Sequence, residues 1–253
     1  MAQETSHLKA ESITVKALYV TDTLGRRRAS LEVRDGDRPE LTLFDQNGKS
    51  RLVAGVDSDM AAVALLDDQE RHRLVMGFMA GVASLVINDE HGPRLCAGWA
   101  EGRPAFKLFD QAGKERVGIE LGDAGPCIGL QNEKEQTLVG LAAANNGGGI
   151  VLNGSSESNS VILSALSDSS TAILSSKAGN QVVLVCGKKA TGVVVQENGH
   201  ENGLIARPTE GASSRTPSVA KGNWKDLFKG GLTSLSQTLE SLGVSVGNIG
   251  KKG

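Results

Sequence analysis

The chain has 253 residues, 3% aromatic side chains, 32 glycines and a net charge of −2. That length is enough for a sizeable core. The lack of aromatics argues against the core of an ordinary globular enzyme, and the near-neutral balance gives no whole-chain attraction to nucleic acid or a membrane surface.

Residues 1–12, MAQETSHLKAES in sequence, read as a polar N-terminal arm. They hold no apolar stretch of the kind a secretory leader needs, and no run along the chain reaches 18 apolar residues. The expectation is synthesis in the cytoplasm, followed by incorporation into a particle or release without a signal.

Residues 13–125 carry a charged repeat. FDQNGKSR at 44–51 returns as FDQAGKER at 109–116. Turn segments of this kind start at Asp22, Asp45, Asp67, Asn88, Asp110, Asn132, Asn153, Ser176 and Glu197, always 21 to 23 residues apart. A period held nine times marks a repeat architecture. Within each unit a short alternating run such as LTLF (41–44) precedes the turn, and a second such as RLVAGV (51–56) follows it. Period-two alternation predicts strands of five or six residues. In the turns, the Asp carboxylate caps backbone N–H groups, and Gly25, Gly48 and Gly113 supply the left-handed residue of a type I turn with a G1 bulge. A calcium loop would need more oxygens than D-x-x-G offers.

Arginine recurs at a fixed offset from these turns: Arg28, Arg51, Arg73, Arg94 and Arg116. Stacked at strand spacing, these five would repel without counter-charge, and the Asp row at the same edge is the nearest source of it. The row reads first as a solvated salt-bridge seam. Its functional alternative is an anion-binding ladder for an anionic glycan or an acidic partner.

The character changes at residue 126. Up to 125, 36 of 125 residues are charged; from 126 to 211 only 12 of 86 are. This second region is rich in Gly, Ser and Val, and strands with so little charge on either face are expected to be covered on both sides, most simply by self-association. The GGG at 147–149 reads as a tight turn or a close backbone approach; with no G-K-[ST] after it, it is no phosphate loop. Residues 212–222 read as a linker. In 223–253, Trp224, Leu227, Phe228, Leu232, Leu235, Leu239 and Leu242 set out one apolar stripe at helical spacing, followed by a basic tail. This helix is expected to dock on the repeat stack or on another structural protein; a membrane surface is the lesser alternative.

No catalytic signature stands out. The histidines His7, His72, His91 and His200 are isolated, and no zinc, nucleophile-elbow or nucleotide motif occurs. Cys96, Cys127 and Cys186 are widely spaced, form no C-x-x-C pair, and read as free small hydrophobes. Phe78 and Trp99 follow the turns of neighbouring repeats and read first as core residues, with a small stacked ladder as the alternative. No catalytic residue, metal ligand or cofactor site is assigned.

The unit L-x-L-x-D-x-x-G-[KR]-x-R, as in LTLFDQNGKSR, resembles bacterial β-repeat proteins, closely over 13–125 and loosely over 126–211. In layout the chain is similar to fibrous phage-tail or injection-machine spike and fibre proteins. The expected fold is all-β: an elongated array of about nine 22-residue strand-turn-strand units, a meander or a β-solenoid, plus the C-terminal amphipathic helix. The expected role is a structural one through self-association, with a homotrimer as the expected order. The alternatives are an anionic-polymer binder on the arginine ladder and, third, a β-helix polysaccharide-degrading enzyme.

Overall fold

Alternation of period two, broken about every eleven residues by a polar or glycine-bearing turn, obliges the chain to run back and forth in short strands. The computed structural model describes residues 10–34, 37–79, 81–100, 102–123, 125–155, 159–188, 191–197 and 200–207. Among them it forms eighteen strands and no helix. Most of the polar arm, the 212–222 linker and the stripe from Trp224 to Leu242 lie outside the described residues.

The chain divides into two compact units, Met1–Pro93 and Arg94–Gly253. The first contains β1 (Ala17–Thr21), β2 (Arg27–Arg34), β3 (Arg38–Phe44), β4 (Ser50–Val56), β5 (Met60–Leu66), β6 (His72–Met79) and β7 (Val82–Asn88). The division falls at the first residue of β8 (Pro93–Ala100). The second unit continues with β9 (Arg103–Phe109), β10 (Glu115–Gly122), β11 (Gly125–Gln131), β12 (Thr137–Ala144) and β13 (Gly147–Asn153). It ends with β14 (Ser160–Leu166), β15 (Ser169–Ser175), β16 (Gln181–Gly187), β17 (Thr191–Glu197) and β18 (His200–Arg207).

From β1 to β7, each strand pairs antiparallel with the next. The same holds from β8 to β18. Each unit is therefore a meander, the route that the hairpin turns favour, and not a parallel solenoid. The fall in charge at 125 has no counterpart in the backbone: β10, β11 and β12 pair across it without interruption.

The turns follow their local chemistry. At Asp45 the N–H of Gly48 donates to the Asp45 carbonyl at 3.1 Å, and the Asp45 N–H donates to the Lys49 carbonyl at 2.9 Å. Gly48 is left-handed, with φ 82°, as are Gly25, Gly113 and Gly179 at equivalent places. The pairing register then slips by one residue, between Leu43 and Phe44 in this hairpin and between Val20 and Thr21 in the first. That slip is the bulge expected of a left-handed residue closing a hairpin. Two turns lack the glycine, and there Glu70 and Glu135 take the left-handed conformation, at φ 59° and 60°.

The register sorts the side chains onto two faces. On one face of each unit, a row of directly paired residues crosses the successive strands. In the first unit it runs Ser30, Thr42, Val53, Ala64, Val75, Val86. In the second it ends Gly140, Val151, Ile162, Ile173, Val183, Val194. This spine contains every buried apolar side chain among the described residues: Ala64, Val151, Ile162, Ile173, Val183 and Val194. It is flanked by small residues. At three of them backbone leaves no room for more: a methyl on Gly77 would lie 2.3 Å from the Ala61 carbonyl oxygen, one on Gly125 2.0 Å from that of Ala143, and one on Gly147 2.0 Å from that of Ala165.

The left-handed glutamates give a direct test of the turn chemistry. A non-glycine residue there costs about 1–2 kcal/mol, partly offset by glycine's larger entropy loss. Glu135→Gly is expected to stabilise the fold by about 0.5–1 kcal/mol, read as a rise in the thermal midpoint; an unchanged or lower midpoint would count against this reading.

Candidate functional site

Two surfaces carry the side chains that set this chain apart: the seam of turns along one edge, and the face opposite the spine.

In the seam, each Asp carboxylate is used twice. One oxygen of Asp45 accepts the backbone N–H of Asn47 (2.8 Å) and of Lys49 (3.1 Å). The other binds Arg51, six residues on, at 2.6 Å. Asp22 holds Arg28 at 2.6 Å, Asp67 holds Arg73 at 2.8 Å, and Asp110 holds Arg116. Arg94 donates to the main-chain carbonyls of Asp110 and Gln111 in the next turn, and in its own hairpin Asp89 caps the turn, its carboxylate accepting the His91 N–H at 2.6 Å. Arg28, Arg51, Arg73 and Arg116 each have the carboxylate of their own hairpin as a partner. Asn132 reproduces the turn without charge, its side-chain oxygen accepting the N–H of Lys134 and of Gln136 at 2.9 and 3.1 Å.

Sequence reasoning missed that the turns are also linked to one another. Arg28 donates to the Asp45 carbonyl, Lys49 to that of Asp68, and Lys114 to that of Glu133 at 2.8 Å. The Ser50 N–H donates to the Glu70 carboxylate at 2.9 Å. Each repeat therefore hands a hydrogen bond to its neighbour, a link that exists only once the repeats are stacked.

A second missed feature is Lys107, a charged residue in the spine row. It pairs with Glu115 at 3.0 Å and Glu120 at 3.2 Å. Burial alone would lower its pKa, but the two carboxylates outweigh that and raise it. The sequence pointed the other way: in FKLF the alternation puts Phe106 and Leu108 on the apolar face and Lys107 on the opposite one. Burial likewise pushes the Cys96 and Cys127 thiols up, so both stay protonated, and all three cysteines are free. Among the described residues no group of three or more His, Cys, Asp or Glu side chains is placed to hold a metal ion.

The other surface is aliphatic. Apart from Ile13, Val15, Tyr19 and Leu24, every exposed large apolar residue lies on the face opposite the spine, from Leu18 and Val20 in β1 to Val195 in β17. The expectation that Phe78 and Trp99 are core residues is corrected here: both lie on this face, 51% and 54% exposed. Each unit hollows this surface into a trough. The first, about 550 Å³, is lined by Leu31, Leu41, Val63 and Met76 among others; the second, about 640 Å³, by Ile128, Leu141, Ile150 and Leu163. Apolar patches beyond a few hundred Å² are rare on monomers and mark interaction sites.

The seam also makes stability pH-dependent. At Asp22, Asp45 and Asp67 partial burial pushes the carboxyl up, but backbone N–H donors and the arginines outweigh it. At Asp110 the Lys114 N–H leads, with Arg116 adding to it. All four are held below the ordinary carboxylate range. A depressed folded pKa stabilises fully above the unfolded value of about 3.9 and is lost as pH falls through the folded one. Asp45→Asn, which keeps the turn acceptor and loses the charge, is expected to lower the thermal midpoint at pH 7 and to lose less than the parent between pH 6 and 2.5; equal losses would remove the seam as the cause. No protein-family model matches the chain, and a comparison with curated proteins finds no relative.

Proposed function

We propose that this chain is a structural, assembly-forming β-repeat protein, a spike, fibre or scaffold component that acts through self-association. Three copies are the expected order, and the segment 223–253 is the expected attachment to another structural protein. The observation that carries this reading is the inverted sorting of side chains. The chain buries Ser, Thr, Ala, Val and two Ile side chains on its spine face and leaves many of its Leu residues, with Met76, Phe78, Trp99, Ile87, Ile119, Ile128 and Ile150, half exposed on the other. Covering such a residue gains about 1 kcal/mol, half the value of full burial, and more than twenty are uncovered. A second surface of the same kind and the same strand spacing supplies that cover.

The anionic-polymer reading draws less support from the seam. A phosphate or sulfate approaching Arg28, Arg51, Arg73 or Arg116 would have to displace an aspartate already bound to the guanidinium. The polysaccharide-degrading reading draws none from the arrangement of carboxylates at the turns, which are occupied in holding the turns together.

Light scattering coupled to size exclusion tests the proposal: the expected mass is a small whole multiple of 26.4 kDa, and a stable monomer would refute it. The rival is tested on a panel of anionic glycans: Arg51→Ala with Arg116→Ala is expected to leave any retention unchanged, and its loss in a folded variant would favour polymer binding.

A further inference from the structure

The aliphatic face of the second unit is not uniform, and its relief restricts how copies fit together. One row is large: Ile119, Ile128, Leu141, Ile150 and Leu163 pair directly in succession, and Leu184 continues the row in β16 beyond Ala172. Two residues along each strand, the next row is small from β12 to β17: Ala143, Gly148, Ala165, Ser170, Cys186 and Thr191, while in β10 and β11 it holds Leu121 and Pro126. A ridge and a groove therefore run side by side along the direction in which the strands stack, and the trough of about 640 Å³ is lined by both.

Resting on the self-association reading above, we propose that copies of this chain pack aliphatic face to aliphatic face about an axis parallel to the strand-stacking direction, so that identical levels meet and the ridge of one copy fills the groove of the next. The symmetry decides this. Rotation about the stacking direction exchanges the two ends of each strand and brings ridge opposite groove. Rotation about the strand direction leaves the ends in place, sets ridge against ridge and leaves the groove empty. Both two- and three-copy rings about the stacking direction satisfy the match. The C-terminal stripe is too short to serve instead. If helical from Trp224 to Leu242, it would rise about 27 Å at 1.5 Å per residue, whereas the exposed apolar residues of the second unit run from Trp99 in β8 to Val195 in β17, about 43 Å at 4.8 Å per strand. A second copy has the same strand spacing and the same length.

The native Cys186 supplies the probe. It lies in the groove row and is exposed in the single chain. Leu184 lies in the ridge row of the same strand. In the proposed arrangement, Leu184→Cys places a ridge thiol against Cys186 of another copy, while the unmodified chain has no such pair. Mild oxidation of L184C is expected to give covalent dimers or larger species on a non-reducing gel, and the parent chain none. A second variant, Leu163→Glu, changes a ridge residue already 45% exposed. It is expected to retain the strand signal in circular dichroism and to run as a single chain in light scattering. If the parent is multimeric but L184C gives no cross-link and L163E stays multimeric, this arrangement is wrong and the self-association reading stands. If the parent is a monomer, whether alone, covered by its own C-terminal segment or soluble only with bound detergent, both are wrong.

Discussion

The structure depends on one geometric constraint. Successive side chains on a strand point to opposite faces, and an antiparallel register fixes which residues share a face along a whole meander. Once the hairpin turns set that register, the chain has no freedom to bring its large aliphatic residues onto the same face as Val151, Ile162 and Ile173. A slip of one residue would exchange the two faces and put large Leu and Ile side chains where Val151, Ile162 and Ile173 now pack.

The turns carry that responsibility locally. A carboxylate that accepts two backbone N–H groups and an arginine from its own hairpin closes each pair of strands on its own. The links from Arg28, Lys49 and Lys114 to the following turn then tie one hairpin to the next. Surface ion pairs of this type stabilise by well under about 1 kcal/mol each, so the seam's main contribution is to register. The hydrophobic contribution has to come from the faces, and within one chain only the spine face is closed.

Legibility followed the range of the interactions. Turn chemistry is local, so the hairpins at Asp22, Asp45 and Asp110 could be read directly, bulge included. Alternation was equally readable: LTLF assigns Leu41 and Leu43 to one face and Thr42 to the other. What covers a face is not written in its alternation. The natural expectation, that the leucines form the core, is reversed in the chain, where Thr42 is buried and Leu41 and Leu43 are exposed. The arginine–aspartate pairs followed from a fixed six-residue offset, but the links between turns appear only when repeats stack. The change of composition at 125 concerns side chains, and β10, β11 and β12 pair in succession across it.

The central claim is that the aliphatic face completes the fold only when another copy covers it. Thermal unfolding measured over a hundredfold range of protein concentration tests it most directly. If copies supply the missing half of the core, the midpoint rises with concentration, because unfolding is then coupled to dissociation. A midpoint independent of concentration in a fully folded sample would contradict the account.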